Sequence, residues 1–177
     1  MHEVQDGETV VLLDLRLGPK DLGRIKIKLF AADVPKTSEN FRQFCTGEYR
    51  GEDGKPIGYK NSGFHRIVKD FMVQGGDFLK GNGLGSFSIY GSESFADENF
   101  IHQNKRMSVA MANSGPDTNG CQFFINVADN DFLDGKHVVF GEVVEGQDIV
   151  DQLSNVRTNE NDRPTPLDVV ISNCGEM

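Results

Sequence analysis

The stretch FHRIVKDFMVQGGDF, residues 64–78, holds two short runs of β-forming residues, FHRIV and MVQGG, around a polar Lys69-Asp70 step that reads as a tight turn. If the loop is Lys69, Asp70 and Phe71, antiparallel pairing sets Arg66 opposite Gln74 and Val68 opposite Met72, all on one face. A loop one residue shorter sets Gln74 opposite His65 instead. In the first register the face presents a guanidinium beside an apolar floor, with an amide close by. Such a face suits a partner that is apolar but carries backbone carbonyls.

Outward from this hairpin, most of the chain has β character. TVVLLDLRL (9–17) and RIKIKLF (24–30) read as strands, and the second alternates, with Ile25, Ile27 and Leu29 inward and Lys26 and Lys28 outward. A helix is predicted from about Pro35, whose missing N–H suits a first helical position. Phe41, Phe44 and Cys45 form its apolar stripe, and Gly47 is a natural stop. MSVAMAN (107–113), CQFFINV (121–127) and HVVFGEVV (137–144) read as further strands. A second helix over about 145–153 buries Ile149, Val150 and Leu153, and LDVVIS (167–172) is a last strand. Many strands with two helices favour a closed antiparallel barrel with helical covers over a βαβ layout. Residues 48–62 and 79–99 are long glycine-containing loops, a length often associated with function. GNGLG (81–85) superficially resembles a phosphate cradle, but it lacks the full spacing and no helix follows it, so tight turns are the preferred reading.

Composition narrows the classes. The 177 residues suffice for one domain with a real core, expected over 1–177 with about 1–8 as a flexible extension. Acidic residues outnumber basic ones 27 to 18, for a net charge of −9, which argues against direct nucleic-acid binding. There is no long apolar run for a membrane span, and MHEVQDGETV does not read as a secretory signal. Cys45, Cys121 and Cys174 are odd in number and widely spaced, so a disulfide framework or zinc site is not expected. A monomer in a reducing compartment, cytoplasmic or nuclear, is the expectation.

FHRIVKDFMVQGGDF, ADENF (96–100), MANSGPDTNGCQFFI (111–125) and FLDGKHVVFGEV (132–143) resemble the cyclophilin motifs in order and separation, and PKTSENFRQFCTGE (35–48) fits the family's first helix. The resemblance covers nearly the whole chain. It implies an eight-stranded closed antiparallel barrel capped by two helices, acting as a peptidyl-prolyl cis–trans isomerase without cofactor or metal. Residue by residue, it implies Arg66 as catalytic and Phe71, Met72, Phe124 and Leu133 as the wall of a proline pocket. It further implies Gln74 and Asn113 as hydrogen-bonding partners of the substrate backbone, and His65, Ala112, Gln122 and His137 as the rim.

GEYRGEDGKPIGYK (47–60) and ISNCGEM (171–177) are most similar to the spliceosome-associated branch of the family, which implies a spliceosomal protein partner beside proline-containing peptides. Docking of proline segments with incidental turnover is the alternative reading. Phe132 stands where many cyclophilins carry tryptophan, so cyclosporin binding is expected to be weakened. HQNKRMSV (102–109) replaces an expected Gly-Pro-Gly turn, and YGSESF (90–95) carries one extra residue. Some relatives with an enlarged 48–58 loop have cysteines at the positions of Cys45 and Cys174 and are thiol-regulated. Here Phe87 replaces the glutamate that grips their loop, and two buried thiols are the preferred reading.

Overall fold

The computed structural model describes Val4 and residues 7–177, so most of the expected 1–8 extension lies outside the described residues. Eight strands form one antiparallel sheet: β1 (Thr9–Leu17), β2 (Lys20–Leu29), β3 (Arg66–Val68), β4 (Met72–Gly75), β5 (Ser108–Met111), β6 (Phe123–Asn126), β7 (Val139–Glu145) and β8 (Val169–Glu176). Their order across the sheet is β3-β4-β6-β5-β7-β2-β1-β8. Two helices cover it, α1 (Pro35–Thr46) and α2 (Gln147–Ser154). The mainly β reading with two helices is therefore correct.

The closed barrel is not. The sheet curls but stays open, because its edge strands β3 and β8 do not pair with each other. Residues just ahead of β3 touch β8 at one bridge, Gly63 to Val170, where Phe64 N–H donates to the Val169 carbonyl at 2.9 Å. The chains then diverge. The free edge of β3 is met instead by a loop, with Ile67 N–H donating to the Asp162 carbonyl at 2.8 Å, which covers the middle of that edge.

Side chains alternate across this sheet, and both faces are apolar near the 64–78 hairpin. Ile67, Val73, Val109, Phe123 and Ile125 face inward into a large core that also takes Phe41 and Phe44 of α1 and Ile149, Val150 and Leu153 of α2. Met72, Ala110, Phe124 and Val139 form a separate cluster on the outer face, joined by Phe71 and Leu133. The element ends differ from the sequence reading in small ways. Glu145 closes β7, and Gly146 (φ 88°) turns the chain into α2, with its Cα so close to Arg24 that a Cβ would lie 2.6 Å from that carbonyl. β8 runs on to Glu176 and so includes Cys174.

The first helix lacks a cap of its own, since Val34 at its N-cap has no suitable side chain. Glu98 supplies one from the distant loop. Its carboxylate accepts from Lys36 N–H (3.0 Å), Thr37 N–H (2.9 Å) and Thr37 Oγ1 (2.9 Å), at the positive end of the helix dipole. Glu98→Ala should therefore cost about 1–2 kcal/mol, or roughly 3–6 °C in melting temperature for a domain of this size. A melting curve that superimposes on the parent's would remove Glu98 from this role.

Candidate active site

The first register is the one adopted: Arg66 pairs with Gln74 and Val68 with Met72. Asp70 takes a left-handed conformation (φ 62°) that the three-residue loop needs and that aspartate tolerates. The ladder then carries one outward row across five strands, from Arg66 to Gln74, Phe124, Ala110 and Val139. Met72, two residues before Gln74, lies on the same face and opposite Asn126.

On this face lies a cleft of about 370 Å³ lined by Arg66, Phe71, Met72, Gln74, Ala112, Asn113, Phe124, Leu133 and His137. Met72 and Phe124 are buried at its floor, while Arg66 stands exposed at its edge. Among the described residues the Arg66 guanidinium has no hydrogen bond or ion pair, so its donors are uncommitted. His137 packs edge-on against Phe124 with ring centroids 5.2 Å apart, and its Nδ1–H donates to the Met111 carbonyl at 2.9 Å. The Asn113 side chain is occupied, donating to the Lys136 carbonyl (2.8 Å) and accepting from Gly115 N–H (3.3 Å). What Asn113 offers the cleft is thus its main chain, whose N–H and carbonyl have no partner among the described residues.

Three predicted residues lie elsewhere. Phe132 is 61% exposed on the short 3-10 turn Asp131–Leu133 and stacks on Phe71 at 5.7 Å, extending the wall outward. Gln122 lines a neighbouring pocket of about 120 Å³, which shares Gln74, Ala112 and Asn113 with the cleft. His65 precedes β3 and turns away from Arg66 to lie under the glycine loop, where a Cβ on Gly83 would sit 3.0 Å from its Nε2. Burial lowers the pKa of His65, with Arg163 and Arg66 adding to the effect and Asp77 opposing it.

The GNGLG loop does cradle an anion, but the anion is its own. The Asp77 carboxylate, 2% exposed, accepts from the backbone N–H groups of Leu79, Lys80, Asn82, Gly83 and Gly85 at 2.9–3.2 Å. Gly85 has to be glycine, since a Cβ there would lie 1.9 Å from Asp77 Oδ1. Gln122 holds the same loop from below, its Nε2 donating to the Gly83 and Gly85 carbonyls at 2.8 Å while its Oε1 accepts from Gln74 Nε2 at 3.1 Å. The roof of the neighbouring pocket is therefore main chain pinned on two sides. The spacing of Asp77 from Gly81, Gly83 and Gly85 is the trace this cradle leaves in the sequence.

Burial pushes the Asp77 pKa up, but the donated backbone bonds outweigh it and bring the pKa down to about 2. A depressed carboxylate stabilises the fold above its unfolded value near 4, and that contribution disappears as pH falls towards 2. From the size of the depression it is about 2 kcal/mol. Urea unfolding of the parent should show this loss between pH 4 and 2. Asp77→Asn should already be weaker at pH 7 and should lose less stability than the parent between pH 4 and 2, keeping only the part due to other lowered carboxylates such as Asp14 and Asp151. Equal acid sensitivity in both proteins would place the loss elsewhere.

The three cysteines are free thiols. Burial raises the pKa of Cys45 well above its usual value and pushes Cys121 up to about 12 and Cys174 to about 11, so all three are poor nucleophiles at neutral pH.

Residues 13–176 match the family model described as cyclophilin type peptidyl-prolyl cis-trans isomerase/CLD. The chain belongs to the cyclophilins. This cyclophilin is 55% identical over 169 residues to peptidyl-prolyl cis-trans isomerase H of Rhizopus delemar, covering 95% of this chain and 94% of that protein. It is 54% identical over 170 residues to peptidyl-prolyl cis-trans isomerase 11 of Caenorhabditis elegans (95% and 91% covered). Against peptidyl-prolyl cis-trans isomerase CYP22 of Arabidopsis thaliana the identity is 56% over 170 residues (95% and 84% covered). Like these relatives, it is a peptidyl-prolyl cis–trans isomerase, and its substrates are peptides.

Proposed function

We propose that this cyclophilin isomerises X-Pro bonds in the outer-face cleft, with Arg66 as the catalytic donor and Phe71, Met72, Phe124 and Leu133 gripping the proline ring. The observation that carries this reading is the uncommitted Arg66 guanidinium beside an apolar floor. An X-Pro bond resists rotation by roughly 20 kcal/mol because the nitrogen lone pair is delocalised into the carbonyl. Twisting breaks that delocalisation and leaves a basic, pyramidal nitrogen. A donor aimed at it stabilises the twisted state far more than the planar one, which is the condition for catalysis.

One charge-assisted hydrogen bond contributes roughly 1.5–3 kcal/mol, whereas a ~10⁵-fold acceleration requires about 7. The rest comes from the apolar, water-poor surroundings, where the Arg66 charge acts on the twisting nitrogen more strongly than in water, while the grip holds the ring equally in planar and twisted states. The free N–H and carbonyl of Asn113 are placed to pair with the substrate backbone, and the neighbouring pocket under the glycine loop to receive residues before the proline. No proton transfer is needed. Isomerisation of a short X-Pro peptide in metal-free buffer tests the whole reading, with single substitutions at Arg66 and Leu133 separating donor from grip.

The match to an isomerase H, with the similarity of residues 47–60 and 171–177 to the spliceosome-associated branch, supports a spliceosomal protein partner and a cytoplasmic or nuclear location. The single run of family similarity over 13–176 supports action as one domain. The raised pKa values of Cys45 and Cys174 support quiet thiols rather than a redox pair. Isomerase rates should accordingly be the same in mild oxidant and in reductant, and a rate that drops on oxidation and returns with reductant would reverse this.

A further inference from the structure

Beneath the cleft runs a chain of buried amides. Asn130 Nδ2 donates to the Phe71 carbonyl (3.0 Å) and to Asn126 Oδ1 (2.7 Å). Asn126 Nδ2 donates to Asn104 Oδ1 (3.0 Å) and Ser108 Oγ (2.9 Å). Asn104 Nδ2 donates to Asp134 Oδ1 (3.2 Å) and to the His137 carbonyl (3.4 Å). The main chain closes the circuit, with Asn104 N–H donating to Asp134 Oδ1, Asn130 N–H to the Asn104 carbonyl and Leu133 N–H to the Asn130 carbonyl. Asn104, Asn126 and Asn130 are at most 5% exposed. From Asn130 through Asn126 and Asn104 to Asp134, each amide donates to the next group, so each bond polarises the one that follows.

The ends of this chain are the walls of the cleft. One end holds the backbone of Phe71. The other holds Asp134 and His137, which follow the turn that carries Leu133. We infer that Asn104, Asn126 and Asn130 are positioning residues that set the width of the ring-gripping pocket, an inference that rests on the assignment of that pocket above. An apolar floor has no direction of its own. Amides with every donor committed fix the separation of the two walls, and a misplaced wall weakens the grip on planar and twisted substrate alike. Loss of the relay should therefore appear in binding, whereas loss of Arg66 appears in turnover.

Titration of isotope-labelled protein with a short X-Pro peptide, followed by NMR exchange, gives the dissociation constant and the catalysed exchange rate of the bound peptide separately. Asn130→Ala should raise the dissociation constant about five- to twentyfold with exchange within about threefold of the parent. Asn130→Ser, which keeps one donor and disturbs the interior less, should fall between the two and serves if the alanine variant does not fold. Leu133→Ala tests the pocket itself. A weakened Leu133→Ala beside an unweakened Asn130 variant that only melts earlier would overturn the relay alone. An unweakened Leu133→Ala would overturn the pocket and the relay with it.

Discussion

Arg66→Ala lowers catalysed cis–trans exchange of a short X-Pro peptide by at least about tenfold, and by up to roughly a hundredfold, the range one charge-assisted hydrogen bond can supply. The fold survives, because Arg66 is exposed on a three-residue strand whose inward neighbour Ile67 is untouched. Peptide affinity changes little, since the ring is held by Phe71, Met72, Phe124 and Leu133. Activity of the parent varies little between about pH 6 and 8, as a guanidinium is charged throughout and no acid–base step is involved. NMR exchange with saturating peptide checks the first result, and full activity in the alanine variant would show that the donor lies elsewhere. A steep inflection near pH 6.5 would instead reveal a histidine in the chemistry.

Phe132→Trp tightens cyclosporin binding about ten- to a hundredfold. In relatives that bind the drug tightly, the tryptophan expected at this position packs on the ligand and donates its indole N–H to a ligand carbonyl. Phe132 keeps the aromatic face, exposed and stacked on Phe71 at 5.7 Å, but has no donor. A ligand carbonyl placed there stays unsatisfied at a cost of roughly 1–3 kcal/mol. Isomerisation of short peptides is affected less, because Phe132 lies outside the nine residues that line the cleft. Calorimetric titration of both proteins decides the matter. Tight binding by the parent, unimproved by tryptophan, would show that Phe132 does not limit affinity.

The hairpin register was legible because a period of two leaves few ways to keep Val68, Met72 and Gln74 on one face. The resemblance then brought most of the cleft with it. Local pattern did not reveal closure of the sheet, since whether β3 reaches β8 depends on how a remote loop places the Asp162 carbonyl. Glu98 sits in a loop, and its service to a helix some sixty residues earlier has no local mark in the sequence. The resemblance puts His65 on the rim of the pocket that holds the catalytic Arg66, whereas adjacent residues on an extended chain point oppositely, and His65 lies under the glycine loop. The asparagines left one faint trace: Asn126 lies within the β-forming run 121–127, two residues after Phe124 and so on its face, where asparagine is disfavoured.

The two apolar faces of the central strands carry a consequence for how such a protein can change over time. Along β4 and β6, residues that face the core alternate with residues that face the client. Selection for a new client can rewrite every second letter without disturbing the letters between. A demand for greater heat resistance can work on the intervening ones and leave recognition alone. Few enzymes that draw substrate contacts from their own interior have that liberty, and here it follows from a cleft that lies on the outside of a curled sheet.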